Sequence, residues 1–312
     1  MKIIFKITTI AVVLCFLQLQ LMAQEKTLAE RLGYKKGDKL LIINNDDSGM
    51  SYASNQGTIK GMQEGLISSS TIMFNCPWST DIVNFALANP NKHFGVHLTL
   101  TSEWKMYKWG TVAPADQVSS LLDPHGYLWR SVEEVYQHGK PEHAYLEGKA
   151  QIQKALNYGL NITHIDSHMG TYQLHPDYIA QYVKLAKEFN LPLRMASQAT
   201  CAKFGQENLR KDCEKLGLVF VDYLIYEEMQ HYNDDVEGFW LKVIGDLKPG
   251  VTELYLHASD ETNELPVITG SWKKRMAELE VFTKSTKIRD LIAAKQIHII
   301  SYKQLLDLQR GN

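Results

Sequence analysis

Residues 41–49 read LIINNDDSG. With Leu40 they open as a continuous aliphatic run, the content of a strand buried on both faces as in a parallel sheet. The run then stops at two asparagines, two aspartates and a glycine turn signal. In parallel α/β proteins, reactions take place just beyond the carboxyl ends of the strands. A strand that ends by delivering the adjacent carboxylates Asp46 and Asp47 therefore marks both a fold and a possible site.

The same rhythm extends outward along the chain. Short apolar runs follow at 70–75, 93–100, 162–168, 191–196, 218–225, 251–259 and 297–301. Between most of them lie stretches such as NQGTIKGMQEGL, HPDYIAQYVKLAKEFN and TKSTKIRDLIAAK, with apolar residues three and four apart, the spacing of amphipathic helices. Repeated strand–helix alternation predicts a parallel sheet, and seven or eight units predict that it closes into a single-domain α/β barrel. One segment breaks the alternation. Residues 101–131 form a long connection carrying Trp104, Tyr107, Trp109, Tyr127 and Trp129. Two readings stay open for it: a lid whose aromatics stack on sugar rings, or a loop that its aromatics pin to the barrel.

Residues 1–23 stand apart. Lys2 and Lys6 precede a mostly apolar stretch from Ile7 to Leu17, and LMA before Gln24 offers a small-residue cleavage site, the pattern of an export signal. The expectation is an exported, periplasmic or extracellular protein comprising residues 24–312, with no membrane association once the signal is removed. Cys15 raises lipidation as an alternative, with bulky Leu14 against it. Without Lys2 and Lys6 the 33 basic residues become 31 against 35 acidic ones, a net charge of -4 over 289 residues. That balance carries no basic footprint, so no nucleic-acid partner is expected. Cys76, Cys201 and Cys213 are too few for a disulfide framework. They are expected as buried thiols, with Cys201–Cys213 the pair that an oxidising compartment would permit.

Polar residues fall at the ends of four different runs. Asp46 and Asp47 end the first, His97 lies late in the third within GVHLTLT, His164, Asp166 and His168 close the fourth, and His257 ends the seventh. Each alone has a plain explanation, such as a turn, a helix cap or a hydrogen-bonded core histidine. Their convergence on one edge does not. One carboxylate and two neutral imidazoles are ligands for a divalent ion, leaving positions open for water and substrate. Along a strand, neighbouring aspartates diverge, so one can hold an ion and the other stand beside it.

The motifs NNDDSG, GVHLTLT, THIDSH and YLHAS, in that order, resemble the YdjC-like carbohydrate deacetylases, which include chitooligosaccharide deacetylase; the likeness spans most of residues 39–305. The resemblance implies a distorted (β/α) barrel that removes acetyl groups from N-acetylated sugars or oligosaccharides with one divalent metal ion, Zn2+ or Mg2+. It implies Asp47, His97 and His168 as metal ligands, Asp46 as general base, Arg194 as the arginine beside that base and His257 as general acid. Asp166 is expected behind a ligating histidine, and His164 beneath the site. The chain departs from the family at Ser48, where a phenylalanine is usual, after His168, where it reads MGTYQLH, and at His257-Ala258, often a His-Pro pair. Three other functions use similar residues: hydrolysis of another amide or an ester, a non-haem iron oxygenase, and a non-catalytic glycan-binding protein. The strand–helix alternation argues against the oxygenase. A retained base and acid argue against simple binding.

Overall fold

The structure, a computed structural model, describes residues 26–225 and 235–311. The expected export signal and Cys15 lie outside the described residues. Seven strands form one parallel sheet: β1 (Lys39–Ser48), β2 (Ser69–Ile72), β3 (Phe94–Leu98), β4 (Ile165–Ser167), β5 (Tyr223–Ile225), β6 (Gly250–Leu256) and β7 (His298–Ile300). The order β4-β3-β2-β1-β6-β5 curls around β1. β1 pairs along its length with β6, while its other edge is shared, Leu40–Ile42 with β7 and Asn44–Ser48 with β2. Of the eight expected runs, only 191–196 fails to become a strand. Pro192 has no N–H to donate, and the segment contributes a single bridge, Leu193 to Ile165, before turning into the helix Gln198–Lys203. Among the described residues nothing pairs this segment with β5, so the barrel is distorted and open there.

The run Leu40–Ile43 is buried on both faces, which is why it does not alternate. Leu41 and Ile43 pack into the main core with helical residues such as Met62, Ile82 and Val83. Leu40 and Ile42 pack with Val221, Val251, Ile300 and Tyr302 in a smaller cluster. Asn44 and Asp46 share the parity of Leu40 and Ile42, so one face of β1 runs from an apolar floor to a polar end.

The helices start where the sequence supplies caps. Ser51 caps Tyr52–Gln63 by accepting from Ser54 N–H, and Ser285 caps Thr286–Ala294. His175 caps Pro176–Phe189, which ends at left-handed Asn190. Gly57 lets the helix Tyr52–Gln63 lie directly on the segment after His257. A Cβ there would stand 2.4 Å from the Ala258 carbonyl oxygen. Asn45 holds the same segment from the other side, accepting from Ala258 N–H at 2.6 Å. All three described cysteines are buried and free, so Cys201 and Cys213 are not paired. No described helix is long and apolar enough to cross a membrane.

Candidate active site

The end of β1 is not a regular strand. Its ladder with β2 slips between Asn45 and Ser48, and Asp47 takes φ +63°, a left-handed conformation that aspartate tolerates better than most residues. Regular alternation would send Asp46 and Asp47 to opposite faces. Both line one cavity of about 470 Å3, Asp47 facing the two imidazoles and Asp46 facing Arg194.

Three side chains converge there. Asp47 Oδ1 lies 3.3 Å from His97 Nε2 and 3.4 Å from His168 Nδ1, and those two nitrogens are 3.2 Å apart. The far nitrogen of each ring meets a carboxylate: His97 Nδ1 stands 2.7 Å from Asp166 Oδ1, and His168 Nε2 stands 3.0 Å from Glu103 Oε2. Each outer carboxylate accepts its ring's outer N–H, so the inner nitrogens, protonated while no ion is bound, are the ones that would bind an ion by losing their protons. Asp47 is buried, its Oδ1 facing the two imidazoles and its Oδ2 lying 2.8 Å from Arg275 Nη2. Two imidazole nitrogens and a buried carboxylate oxygen, all within 3.4 Å of one another, fit a divalent cation. A second group, Asp46, His97 and Asp166, also converges. It already has its cation, because Arg194 Nη1 lies 2.7 Å from Asp46 Oδ2 and 3.0 Å from Asp166 Oδ2.

Arg194 is no surface ion pair; it is 3% exposed. It grips Asp46 with two parallel bonds, Nη1 to Oδ2 at 2.7 Å and Nη2 to Oδ1 at 2.8 Å. Its Nε donates to Glu253 Oε1 at 2.9 Å, and its flat face covers the Tyr255 ring at 4.4 Å. Tyr302 OH donates to the other oxygen of Glu253. A planar fork with five donors suits this task where lysine would not. His164 plays no part in the cavity. It is buried flat against Tyr302, ring centroids 3.6 Å apart, with Nδ1 3.0 Å from the Thr163 hydroxyl.

The electrostatics follow from these contacts. Burial alone would raise the Asp46 carboxyl, but the Arg194 charge and its hydrogen bonds bring it down to about 2. Burial likewise opposes ionisation of Asp47, and Arg275 with the two imidazoles holds it well below the usual carboxylate range. His97 and His168 are pushed the other way. Burial would lower both, yet Asp166 lifts His97 to about 10 and Glu103 lifts His168 to about 9. His257 is lowered to about 4 by burial, with Arg275 adding to the effect.

His257 follows β6 and lines the same cavity; its backbone N–H donates to Glu278 Oε2 at 2.9 Å. The cavity thus gathers Asp46, Asp47, His97, His168, Arg194 and His257, all six residues singled out from the sequence. Ser48 does not line it. That residue is buried, its hydroxyl bonded to Thr58 and Ser70, whereas Met169 stands at the mouth. The aromatic loop divides between its two readings. Trp109 is buried and donates to the Thr101 carbonyl, and Trp129 donates to the Ser120 carbonyl and stacks on His138 at 4.2 Å. Both pin the loop. Trp104 alone of the three tryptophans lines the cavity.

Three participants escaped sequence reading: Glu103 behind His168, Glu253 behind Arg194, and Arg275, whose Nη2 lies 2.8 Å from Asp47 Oδ2. Glu103 does carry a local signal, standing six residues past His97 where the third run gives way to the loop. Glu253 sits inside an apolar strand, where a buried acid calls for a partner. Arg275 lies in a helix of ordinary charged composition and carries no comparable mark.

A curled parallel sheet with helices, presenting a carboxylate, two oriented imidazoles and an arginine-clamped aspartate at its strand ends, defines a (β/α)-barrel protein with a candidate metal centre. A family model described as YdjC-like protein matches residues 40–294, so the chain belongs to that family. Among curated relatives, a carbohydrate deacetylase of Thermoanaerobacter pseudethanolicus is 29% identical over 78% of this chain and 91% of its own length. Another, from Brevibacillus brevis, is 30% identical over 85% and 99%. A solved structure from Enterococcus faecalis V583, described as a candidate cellobiose-phosphate cleavage protein, superposes with a TM-score of 0.75 at 26% identity, over 86% of this chain and 99% of that one.

Proposed function

We propose that the chain is a metal-dependent hydrolase that removes acetyl groups from N-acetylated sugars or oligosaccharides. One observation carries the reading: an aspartate kept ionised by a buried arginine stands in the same cavity as a three-ligand set with open positions. The curated relatives carry the name carbohydrate deacetylase, which supports the substrate class. Asp47, His97 and His168 would hold the ion, and Asp166 and Glu103 would keep the imidazoles in the ligating tautomer. Two imidazoles and one carboxylate suit Zn2+, and an oxygen-rich remainder admits Mg2+. When bound, the ion supplies Lewis acidity, polarising an amide carbonyl and bringing the pKa of water toward about 7.

The chain's own groups supply the rest. Asp46 accepts the proton of the attacking water, oriented by both N–H groups of the Arg194 fork. One proton must then reach the departing amine. His257 is neutral at rest, so it acts as general acid only after receiving a proton during turnover. Trp104, on the cavity wall, offers a face for a sugar ring. The signal-like sequence of residues 1–23 supports a site of action outside the cytoplasm.

Incubating the purified chain with N-acetylated chitooligosaccharides, with and without chelator, and measuring acetate tests the reading. Chelator-sensitive acetate release is expected. Release from simple esters or non-sugar amides, with none from acetylated sugars, would reassign the substrate; binding of oligosaccharides without any release would make the chain a glycan-binding relative.

A further inference from the structure

Arg275 departs from the pattern set by Arg194. It rises from the helix Trp272–Lys284, is 5% exposed and lines the cavity. Its Nε donates to Ser271 Oγ at 3.1 Å, its Nη2 meets Asp47 Oδ2 at 2.8 Å, and its guanidinium carbon lies 5.8 Å from the Trp104 ring. Nη1 is buried and has no hydrogen-bond partner among the described residues. An arginine that served only to neutralise Asp47 would gain by setting both terminal nitrogens on the carboxylate, as Arg194 does on Asp46. Here one nitrogen is held back. A buried charged donor without an acceptor is costly, and it is tolerated where a ligand brings the acceptor.

We propose that Arg275 is a further catalytic residue, whose Nη1–H donates to the acetyl carbonyl oxygen as that oxygen gains negative charge. The proposal rests on the deacetylase reading. In the addition step the water oxygen bonds to the acetyl carbon, the carbonyl π pair moves onto oxygen, and the water proton passes to Asp46. On collapse the oxygen pair re-forms the C=O bond, the C–N bond breaks, the amine takes the proton that Asp46 had received, and acetic acid leaves and ionises to acetate. Charge on the carbonyl oxygen exists only between those events, so a fixed donor there favours the transition state over the bound substrate. The planar guanidinium makes the placement direct. With Nη2 on Oδ2 of Asp47, Nη1 is fixed in the same guanidinium plane, on a residue that lines the same cavity as the ligand set.

The test uses the metal-loaded chain, Arg275→Lys, which keeps a cation beside Asp47 without the planar second donor, and Arg275→Gln, which removes the charge. Turnover per bound metal should fall about 10²–10³-fold in Arg275→Lys with KM little changed, the range seen on removing one oxyanion donor. Metal content by elemental analysis and thermal stability should stay near the parent's. A second arm needs no sugar. Calorimetric titration with acetate, which presents a carboxylate oxygen where the carbonyl would sit, should show affinity about 10–100-fold weaker in Arg275→Gln. Acetate bound equally by the parent and both variants overturns the proposal, as does a rate loss explained entirely by lost metal. A parent that binds acetate through Arg275 yet releases none from acetylated sugars counts against the substrate reading and leaves the arginine's donor role supported.

Discussion

Replacing Asp166 by asparagine exchanges one heavy atom and should disturb the candidate metal centre without touching any of its three ligands. Asp166 Oδ1 lies 2.7 Å from His97 Nδ1, while Oδ2 accepts from the Thr71 hydroxyl at 2.8 Å and lies 3.0 Å from Arg194 Nη1. An amide has one acceptor and one donor end. With its NH2 toward His97, it forces the proton onto Nε2, the nitrogen that faces Asp47 and His168. With its oxygen toward His97, the NH2 confronts the Arg194 guanidinium, two donors with nothing between them. Neither orientation preserves both contacts, and neither supplies the charge that lifts His97. Losing such a partner of a ligating histidine costs about 10–100-fold in metal affinity, or roughly 1.4–2.8 kcal/mol. Arg194 keeps Asp46 and Glu253, so the chain should still fold, with stability lower by about 1–3 kcal/mol for the unsatisfied donor. Competition against a fluorescent chelator measures the affinity, and thermal unfolding checks the fold. A dissociation constant within about twofold of the parent's, in a folded variant, would refute the tautomer argument.

Other consequences are as direct. Asp46→Asn should retain metal and lose about 10²–10⁴-fold in turnover, because an amide cannot take the water proton; near-normal rates would require another base. Glu103→Gln should weaken metal binding less than Asp166→Asn, since Glu103 is the more exposed carboxylate, and an equal or larger loss would show that exposure is a poor guide here. Trp109→Ala and Trp129→Ala should lower the melting temperature without altering preference among one-, two- and four-ring substrates, whereas Trp104→Ala should alter that preference at nearly unchanged stability. Burial raises the thiols of Cys76, Cys201 and Cys213, Cys213 to about 11, so none should react with iodoacetamide at neutral pH until the chain is unfolded, when all three should. Two unreactive thiols under denaturing, non-reducing conditions would instead reveal a Cys201–Cys213 disulfide.

The parallel sheet was legible because its central strands bury both faces, β1 most plainly as the unbroken apolar run Leu40–Ile43. Seven of eight such runs became strands, and the exception, at 191–196, was weakened by a proline that the apolar count ignored. Asp46, Asp47, His97, His168 and His257 were legible because they sit at or near the ends of their runs, where topology brings strand ends together, whereas Arg194 came from the family resemblance. What the sequence left hidden was conformational or remote. The bulge at Asp47 depends on a left-handed backbone that aspartate tolerates but does not announce. Glu103 reaches His168 from 65 residues away, and Arg275 reaches Asp47 from the helix Trp272–Lys284. Period-two and period-three-to-four patterns report which face a residue occupies within its own element, and nothing in them states which element that face will meet. The aromatic loop shows the same limit, since its five aromatic residues look alike in sequence and are separated only by burial.

Stepwise addition of Zn2+ or Mg2+ to chelator-stripped protein, with acetate release from an N-acetylated chitooligosaccharide read at each step, bears most directly on the central claim. The arrangement of Asp47, His97 and His168 predicts negligible release at the start, activity rising linearly and saturating near one ion per chain, and no recovery in His168→Ala. Full activity in the stripped protein, or equal recovery in His168→Ala, would contradict it.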